Sequence, residues 1–225
     1  MSRGFFVTGT DTGVGKTMVA CALLYAFARQ GQSVVGMKPV TAGCEETLEG
    51  LRNGDVEQLI AASTIEAPRH MVNPYALKPR IAPHIAAQQA GIEINLSVIK
   101  AAFDQLKKMA GVVVVEGVGG FKVPLNNQQD SADLAELIGL PVILVVGMRL
   151  GCLNHALLTS GAIEERGLKL AGWVANCIDP HMAALRENLR ALEERLVRPA
   201  LGVLAFQPDP QPKRIARELA IQSLV

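Results

Sequence analysis

The sequence predicts an α/β fold of three layers, a mostly parallel central sheet with helices on both faces. Three observations carry that prediction. Short apolar runs alternate with longer segments of helical period, which is the pattern of βαβ units. Apolar residues make up 49% of the 225, enough for a substantial core. The first apolar run empties into a glycine-rich turn, Gly9-Thr10-Asp11-Thr12-Gly13-Val14-Gly15-Lys16-Thr17, which opens a helix. At this length one domain over 1–225 is expected, and no linker, repeat or low-complexity tract divides the chain.

The elements follow in order. The first strand is expected over 5–8, where Phe5-Phe6-Val7 carries no polar group, and the helix after the turn over 16–29. Gly31 punctuates the passage to a second strand over 33–37. A helical-period stretch over 94–109 leads to Val112-Val113-Val114-Val115, bare of polar residues and therefore placed at the sheet centre. A helix over 131–138 precedes a strand over 141–146, and a helix over 152–166 precedes a strand over 170–175. A helix over 182–196, a strand over 200–204 and a helix over 213–222 complete the order. The proline-rich piece from Pro208 to Pro212 reads as a surface loop.

The glycine-rich turn points to a nucleotide-triphosphate loop. A helix N-terminus presents free N–H groups and a partial positive charge to phosphate oxygens. Glycines let the backbone approach those oxygens, Lys16 adds a mobile cation, and Thr17 offers a hydroxyl where a phosphate-bound Mg²⁺ would sit. Five residues separate Gly9 from Gly15, one more than the usual signature, so strictly the motif begins at Thr10. The fold class is therefore that of a P-loop NTPase.

Composition bounds the remaining possibilities. The formal net charge of +1 gives no electrostatic footprint for nucleic acid or an acidic membrane surface. Cys21, Cys44, Cys152 and Cys177 are scattered without a Cys-x-x-Cys pair, which reads as reduced packing thiols in the cytoplasm. The N-terminus lacks the pattern of a signal peptide. The longest apolar stretch, around 140–148, is about half the roughly 20 residues of a membrane span. The histidines His70, His84, His155 and His181 form no metal-ligand spacing and are expected to pack or cap.

In an open parallel sheet, ligands bind at the carboxyl ends of the strands. Lys38 follows the second strand, in Met37-Lys38-Pro39-Val40-Thr41, where a second lysine would neutralise a transferring phosphoryl group. Glu116 ends the valine strand, an expensive place for a carboxylate unless it meets a cation or water. A Mg²⁺ ligand opposite Thr17 is its expected role, with a solvated strand-end glutamate as the plain alternative. Asp55 either caps the helix that starts there or touches the metal. Asn176 ends the fifth strand, where an amide can read a base edge. Gly151-Cys152-Leu153-Asn154-His155 opens another helix and offers a second anion site.

These segments together resemble the dethiobiotin synthetase family, over 6–176. The match runs through Val7-Thr8-Gly9-Thr10-Asp11-Thr12, Val14-Gly15-Lys16-Thr17, Lys38-Pro39-Val40 and Glu49-Gly50-Leu51-Arg52-Asn53. It continues in Val72-Asn73-Pro74-Tyr75, Pro83-His84-Ile85, Val115-Glu116-Gly117 with Gly119-Gly120, Leu150-Gly151-Cys152 with Asn154-His155, and Gly172-Trp173-Val174-Ala175-Asn176. The long phosphate loop is a property of that family. The resemblance implies an ATP-dependent ligase of biotin biosynthesis, in which 7,8-diaminononanoate takes up CO₂ as a carbamate and ATP drives closure of the ureido ring.

The resemblance also implies roles. Lys16 and Lys38 neutralise charge on the γ-phosphoryl and carbamate oxygens. Thr17, Asp55 and Glu116 hold Mg²⁺. Nucleotide contacts come from Thr12, Gly13, Val14, Gly15, Lys16, Thr17 and Met18, from Asp55, Glu116, Gly117, Val118 and Gly119, and on the adenine side from Asn176, Cys177, Ala205, Phe206 and Gln207. Thr12 and the loop around Thr41 approach the diamine end, while Gly151, Cys152, Leu153 and Asn154 bind the tail carboxylate. A homodimer sharing the site is expected, with no nucleic-acid or membrane partner.

Departures from the family pattern are Gly13 where an acid is common, Ala42 where a serine is common, Asn188 in place of a tyrosine, and the loop 205–208. Two other readings stay open on the same fold: a partner-regulated ATPase of the partition or septum-placement kind, and a small-metabolite kinase. The first typically carries an extra lysine early in the loop, where this chain has Thr10-Asp11.

Overall fold

A computed structural model describes residues 3–224; Met1, Ser2 and Val225, the ends of the expected 1–225 domain, lie outside the described residues. Chain order begins β1 (Arg3–Gly9), α1 (Lys16–Arg29), β2 (Val34–Met37), β3 (Val40–Ala42), β4 (Glu45–Thr47) and β5 (Gly50–Arg52). Then come α2 (Gly54–Ala62), α3 (Arg69–Val72), β6 (Tyr75–Leu77), α4 (Pro83–Gln89), α5 (Leu96–Met109) and β7 (Val112–Glu116). The chain finishes through α6 (Ser131–Ile138), β8 (Val142–Met148), α7 (Cys152–Glu165), β9 (Leu170–Cys177), α8 (Leu185–Arg195), β10 (Ala200–Leu204) and α9 (Pro212–Ile215), with a 3₁₀ turn over Ile221–Leu224.

Among the described residues, six strands form the central sheet in the order β10-β9-β8-β1-β7-β2, every pair parallel. Successive side chains of a strand point to opposite faces, and the two halves of the core follow that parity. Phe5, Val7, Val112, Val114, Ile143 and Val145 pack with α1 and the C-terminal segment. Phe6, Val113, Val115, Val142, Leu144 and Val146 pack against α5, α6 and α7. This is the expected three-layer α/β architecture, and both faces being covered explains why the strands read as unbroken apolar runs.

The expected elements are present with shifted ends. The helix foreseen from 182 starts at Leu185, because the Asp179 side chain accepts from His181 N–H and Ala184 takes a left-handed φ of 52°. The helix foreseen over 213–222 stops at Ile215, and Ala220 N–H instead donates to Leu201 of β10, which draws the chain back to the sheet. Asp55 is not a cap: Asn53 is, its side chain accepting from Asp55 N–H.

The least foreseen region is 40–90, which leaves the main sheet. Here β3 pairs with β6, and β4 with β5, each a two-stranded piece of three residues per strand. These pieces are too short for a period to register. β3 follows Lys38 by two residues and α2, which carries Asp55, follows β5, so this region forms one side of the site.

Candidate active site around the phosphate loop

The parallel sheet brings Gly9, Lys38, Glu116, Met148 and Asn176 to one edge, because each ends or follows a strand whose partners run the same way. The phosphate loop rises from the middle of that edge. Thr10 N–H donates to Val145 carbonyl and its hydroxyl accepts from Gly147 N–H, so β8 carries the loop's entry. At the far end Gly15 sits at φ 92°, with no side chain capping α1. A Cβ there would come within 2.4 Å of Asn176 Nδ2, so both the backbone angle and the space require glycine. The first turn of α1 is thus left open for phosphate oxygens.

Lys16 is buried and its Nζ donates to Asp11 carbonyl at 2.9 Å, resting on the loop's own backbone. Burial pulls its pKa down to about 8, Lys38 adds repulsion, and Glu116, Asp55 and Asp11 oppose the shift. Asp11 is itself fixed: it accepts from Thr12 N–H at 2.7 Å and pairs with Arg149 from the loop before α7. Those bonds hold its carboxyl below the usual range, the Thr12 N–H contributing most, against an opposing effect of burial.

Lys38, Asp55, Glu116 and Thr17 converge although they are far apart in sequence. Lys38 Nζ donates to Asp55, and to Glu116 Oε1 at 2.7 Å. Thr17 hydroxyl donates to the same Glu116 oxygen at 2.8 Å. Burial draws Lys38 downward, but the two carboxylates outweigh it and hold the ammonium above its ordinary value. For Glu116, 1% exposed, burial raises the pKa while Lys38 and the Thr17 hydroxyl pull against that rise. Its second oxygen, Oε2, is buried without a hydrogen-bond partner.

That orphaned oxygen is the test of whether Mg²⁺ fits. Two carboxylates and a hydroxyl are hard oxygen donors of the kind Mg²⁺ prefers, and the ion keeps waters and phosphate oxygens in its remaining positions. Among the described residues no group of three or more His, Cys, Asp or Glu is placed to hold a metal ion. The donor set therefore fits a nucleotide-borne Mg²⁺.

The other expected site residues sort into two groups. Brought to the edge are Thr12 and Gly13, both exposed, with Gly13 at φ 75° and open space where a side chain would stand. Val14 and Met18 are buried behind the loop, and Gly117, Val118 and Gly119 follow Glu116 beside it. Asn176 pairs in register with Leu204, which brings Cys177 and the loop Ala205, Phe206 and Gln207 together at the same edge. Asn176 Nδ2 donates to Val14 carbonyl at 2.9 Å, a contact to the phosphate loop that its strand-end position did not disclose.

Turned away or already engaged is the second group. Thr41 is 1% exposed, its hydroxyl bonded to Asn73 Oδ1 and Tyr75 carbonyl, so it ties β3 to 73–75 instead of presenting a hydroxyl. Ala42 supplies none. Cys152 N–H is spent on Arg149 carbonyl, which leaves Leu153 and Asn154 as the open N–H groups of α7 after Gly151 at φ 90°. Asn188 donates to Ala184 within its own helix. Asn73 is the residue whose importance the sequence did not reveal. Its signal was an amide at the head of Asn73-Pro74-Tyr75, in a stretch otherwise apolar.

With this geometry in view, likeness to known proteins can be stated. A family model described as an AAA domain matches residues 3–214. The ATP-dependent dethiobiotin synthetase of Nitrosospira multiformis is 60% identical over 209 residues, covering 93% of this chain and 91% of that protein. That of Aromatoleum aromaticum is 54% identical, covering 97% of each. The cell-division protein MinD of Aquifex aeolicus superimposes with a TM-score of 0.61 over 99% of this chain and 97% of its own, at 13% identity. MinD of Pyrococcus horikoshii, solved with Mg-ADP, gives 0.60 at 15% identity, over 99% of this chain and 89% of its own. At those identities the MinD likeness speaks for the fold alone, a P-loop NTPase fold.

Proposed function

This chain belongs to the ATP-dependent dethiobiotin synthetase family, and from that premise we propose how its residues close the ureido ring. The enzyme is an ATP-dependent ligase of biotin biosynthesis. The observation that carries the residue-level reading is the convergence of Lys38, Glu116, Asp55 and Thr17 beside the open end of α1. In this reading one amine of 7,8-diaminononanoate adds to CO₂ and loses a proton, giving a carbamate. A carbamate oxygen attacks the γ-phosphorus of ATP and ADP leaves, forming a carbamic-phosphoric anhydride. The second amine attacks the carbonyl carbon and gives up a proton, the bond to phosphate breaks with its electron pair going to the leaving phosphate, and the cyclic urea is complete.

The chain's residues divide that work. The N–H groups of Gly15, Lys16 and Thr17 cradle phosphate oxygens. Lys16, leaving Asp11 carbonyl, follows the γ-phosphoryl group, and its low pKa reflects a desolvated amine waiting for an anion. Lys38 stays protonated and faces the oxygens that carry charge in the anhydride-forming step. Thr17, Asp55 and Glu116 would hold Mg²⁺, which when bound neutralises the triphosphate. Asn176 with the loop Ala205, Phe206 and Gln207 receives adenine. Leu153 and Asn154 N–H groups receive the tail carboxylate.

One feature supports a homodimer as the working form. Leu150, Leu157 and Leu158 are exposed to 97%, 37% and 66% on and just before α7, beside the open helix start. An apolar stripe next to a site is the usual mark of an interface. We further read the chain as one domain and the enzyme as cytoplasmic, consistent with no helix among the described residues being long and apolar enough to cross a membrane.

The test is product formation. Protein incubated with diaminononanoate, bicarbonate, Mg²⁺ and ATP should yield dethiobiotin by mass spectrometry, together with ADP and phosphate. A folded, ATP-binding preparation that makes none would overturn the proposal, and a phosphorylated organic product formed without bicarbonate would point to a kinase instead.

A further inference from the structure

We propose that Asn73 is a positioning residue for Lys38, its amide fixing the backbone where that lysine leaves the sheet. The inference rests on the reading of Lys38 given above, and it deepens it.

The ladder between β2 and β7 ends at Met37, paired with Val115, so Lys38 is the first residue that the sheet no longer holds. Pro39 follows and has no N–H to offer. What holds this step comes instead from 72–75. Lys38 N–H donates to Val72 carbonyl at 2.9 Å, and Lys38 carbonyl accepts from Asn73 Nδ2 at 2.7 Å. The same nitrogen reaches Tyr75 carbonyl at 3.3 Å, and Oδ1 accepts from Thr41 hydroxyl at 3.1 Å. One side chain thus joins three points of the wall: the residue that bears the amine, the loop after it, and the start of β6.

Asn73 is itself held, its N–H donating to Arg69 carbonyl at 2.8 Å at the end of α3. None of its hydrogen bonds goes to Lys16, Asp55, Glu116 or Thr17, so its route to the chemistry is indirect, through the Lys38 backbone and the neighbouring Thr41. Its place in the chain is nevertheless specific. Lys38 Nζ must lie between Asp55 and Glu116, and a long flexible stem magnifies any rotation at its root. A misplacement of about 1 Å at a reacting centre can cost on the order of 100-fold in rate. Aspartate, the nearest isostere, does not satisfy this position. It keeps the acceptor for Thr41 but loses both donors, and sets a negative oxygen against the Lys38 carbonyl.

The experiment uses the full chain with Asn73→Ala and Asn73→Asp, measuring kcat, KM for each substrate, nucleotide Kd by calorimetry and the melting temperature. The expected result is a fall in kcat of about 10- to 100-fold, with nucleotide Kd within about twofold of wild type. Thr41→Val should give a smaller fall, and combining it with Asn73→Ala should add little, because both act through one network. Turnover by folded Asn73→Ala within about twofold of wild type would overturn the inference. So would a loss fully matched by weaker nucleotide binding or by a smaller folded fraction, since that is what a merely structural residue gives. Lys38→Met in the same assay separates the premises. Should Lys38→Met keep its turnover, the reading of Lys38 fails and the inference with it. Should it be inactive while Asn73→Ala is normal, the inference alone fails.

Discussion

Replacing Lys38 by methionine should make the folded protein lose stability with rising pH more steeply than wild type, whose buried Glu116 already has a raised pKa. The substitution keeps the apolar stem and removes the cation that Glu116 and Asp55 share. Asp55, with 41% of its side chain exposed, loses at most about 1 kcal/mol. Glu116 is 1% exposed and keeps only the Thr17 hydroxyl, and breaking a buried pair this way costs about 3–5 kcal/mol while the carboxylate stays charged.

Protonation sets a ceiling on that cost. Burial raises the folded pKa of Glu116 above its unfolded value, so its contribution is complete below the unfolded pKa of about 4.3 and is lost as pH rises through the folded one. At about 1.36 kcal/mol per pH unit, the penalty cannot exceed roughly 1 kcal/mol at pH 5 or roughly 5 kcal/mol at pH 8. With 2–4 °C per kcal/mol for a chain of this size, and the Asp55 loss added to that of Glu116, the melting gap to wild type should be under about 8 °C at pH 5 and about 6–24 °C at pH 8. Thermal melts followed by circular dichroism, with EDTA and without nucleotide, read both values. Adding Glu116→Gln should close most of the gap at pH 8. An equal gap at both pH values, or no recovery in the double variant, would refute the view that Lys38 keeps a charged Glu116 in the core.

Lys16 should take up a proton when nucleotide binds at alkaline pH. Its free-state pKa of about 8 leaves much of it neutral at pH 8.5, and a bound triphosphate restores the ammonium, so affinity should fall as pH rises through 8. Calorimetry in two buffers of different ionisation enthalpy measures the uptake, which Lys16→Arg should abolish. Leu158→Glu, at 66% exposure on α7, should leave the melting temperature of the monomer nearly unchanged and convert a dimer to monomer in sedimentation velocity. Unaltered sedimentation would place the interface elsewhere.

The central layer was legible because its signals are local. Four valines before Glu116 mark a buried strand, Gly15-Lys16-Thr17 marks a helix start, and parallel pairing carries both to one edge without any side-chain detail. The wall from 40 to 90 was not. Its strands are three residues long, so alternation has no room to show; β4 is exposed and polar, and β5 is mostly half-buried. Asp55 illustrates the cost of reading a short stretch: an acid at a helix start looks like a cap, yet Asn53 two residues earlier takes that place and frees the Asp55 carboxylate for Lys38.

Thr41 and Asn73 show why hydroxyls and amides are the hardest to place from sequence. A hydroxyl three residues beyond a reactive lysine is as well suited to reach a substrate as to tie down the loop that carries the lysine. What decides is a partner 32 positions away, which nothing near Thr41 predicts. Once Asn73 Oδ1 accepts from Thr41, its nitrogen is turned toward Lys38 carbonyl, since the two ends of a planar amide cannot be aimed separately. Thr41 then orients Asn73, and Asn73 orients the backbone beneath the amine. Ala42, at the end of β3, adds no hydroxyl beside Thr41 and leaves that chain of bonds undisturbed. In the mechanism proposed above, the electrostatics rest on residues the strand ends announce, and their aim on a contact that only the folded wall creates.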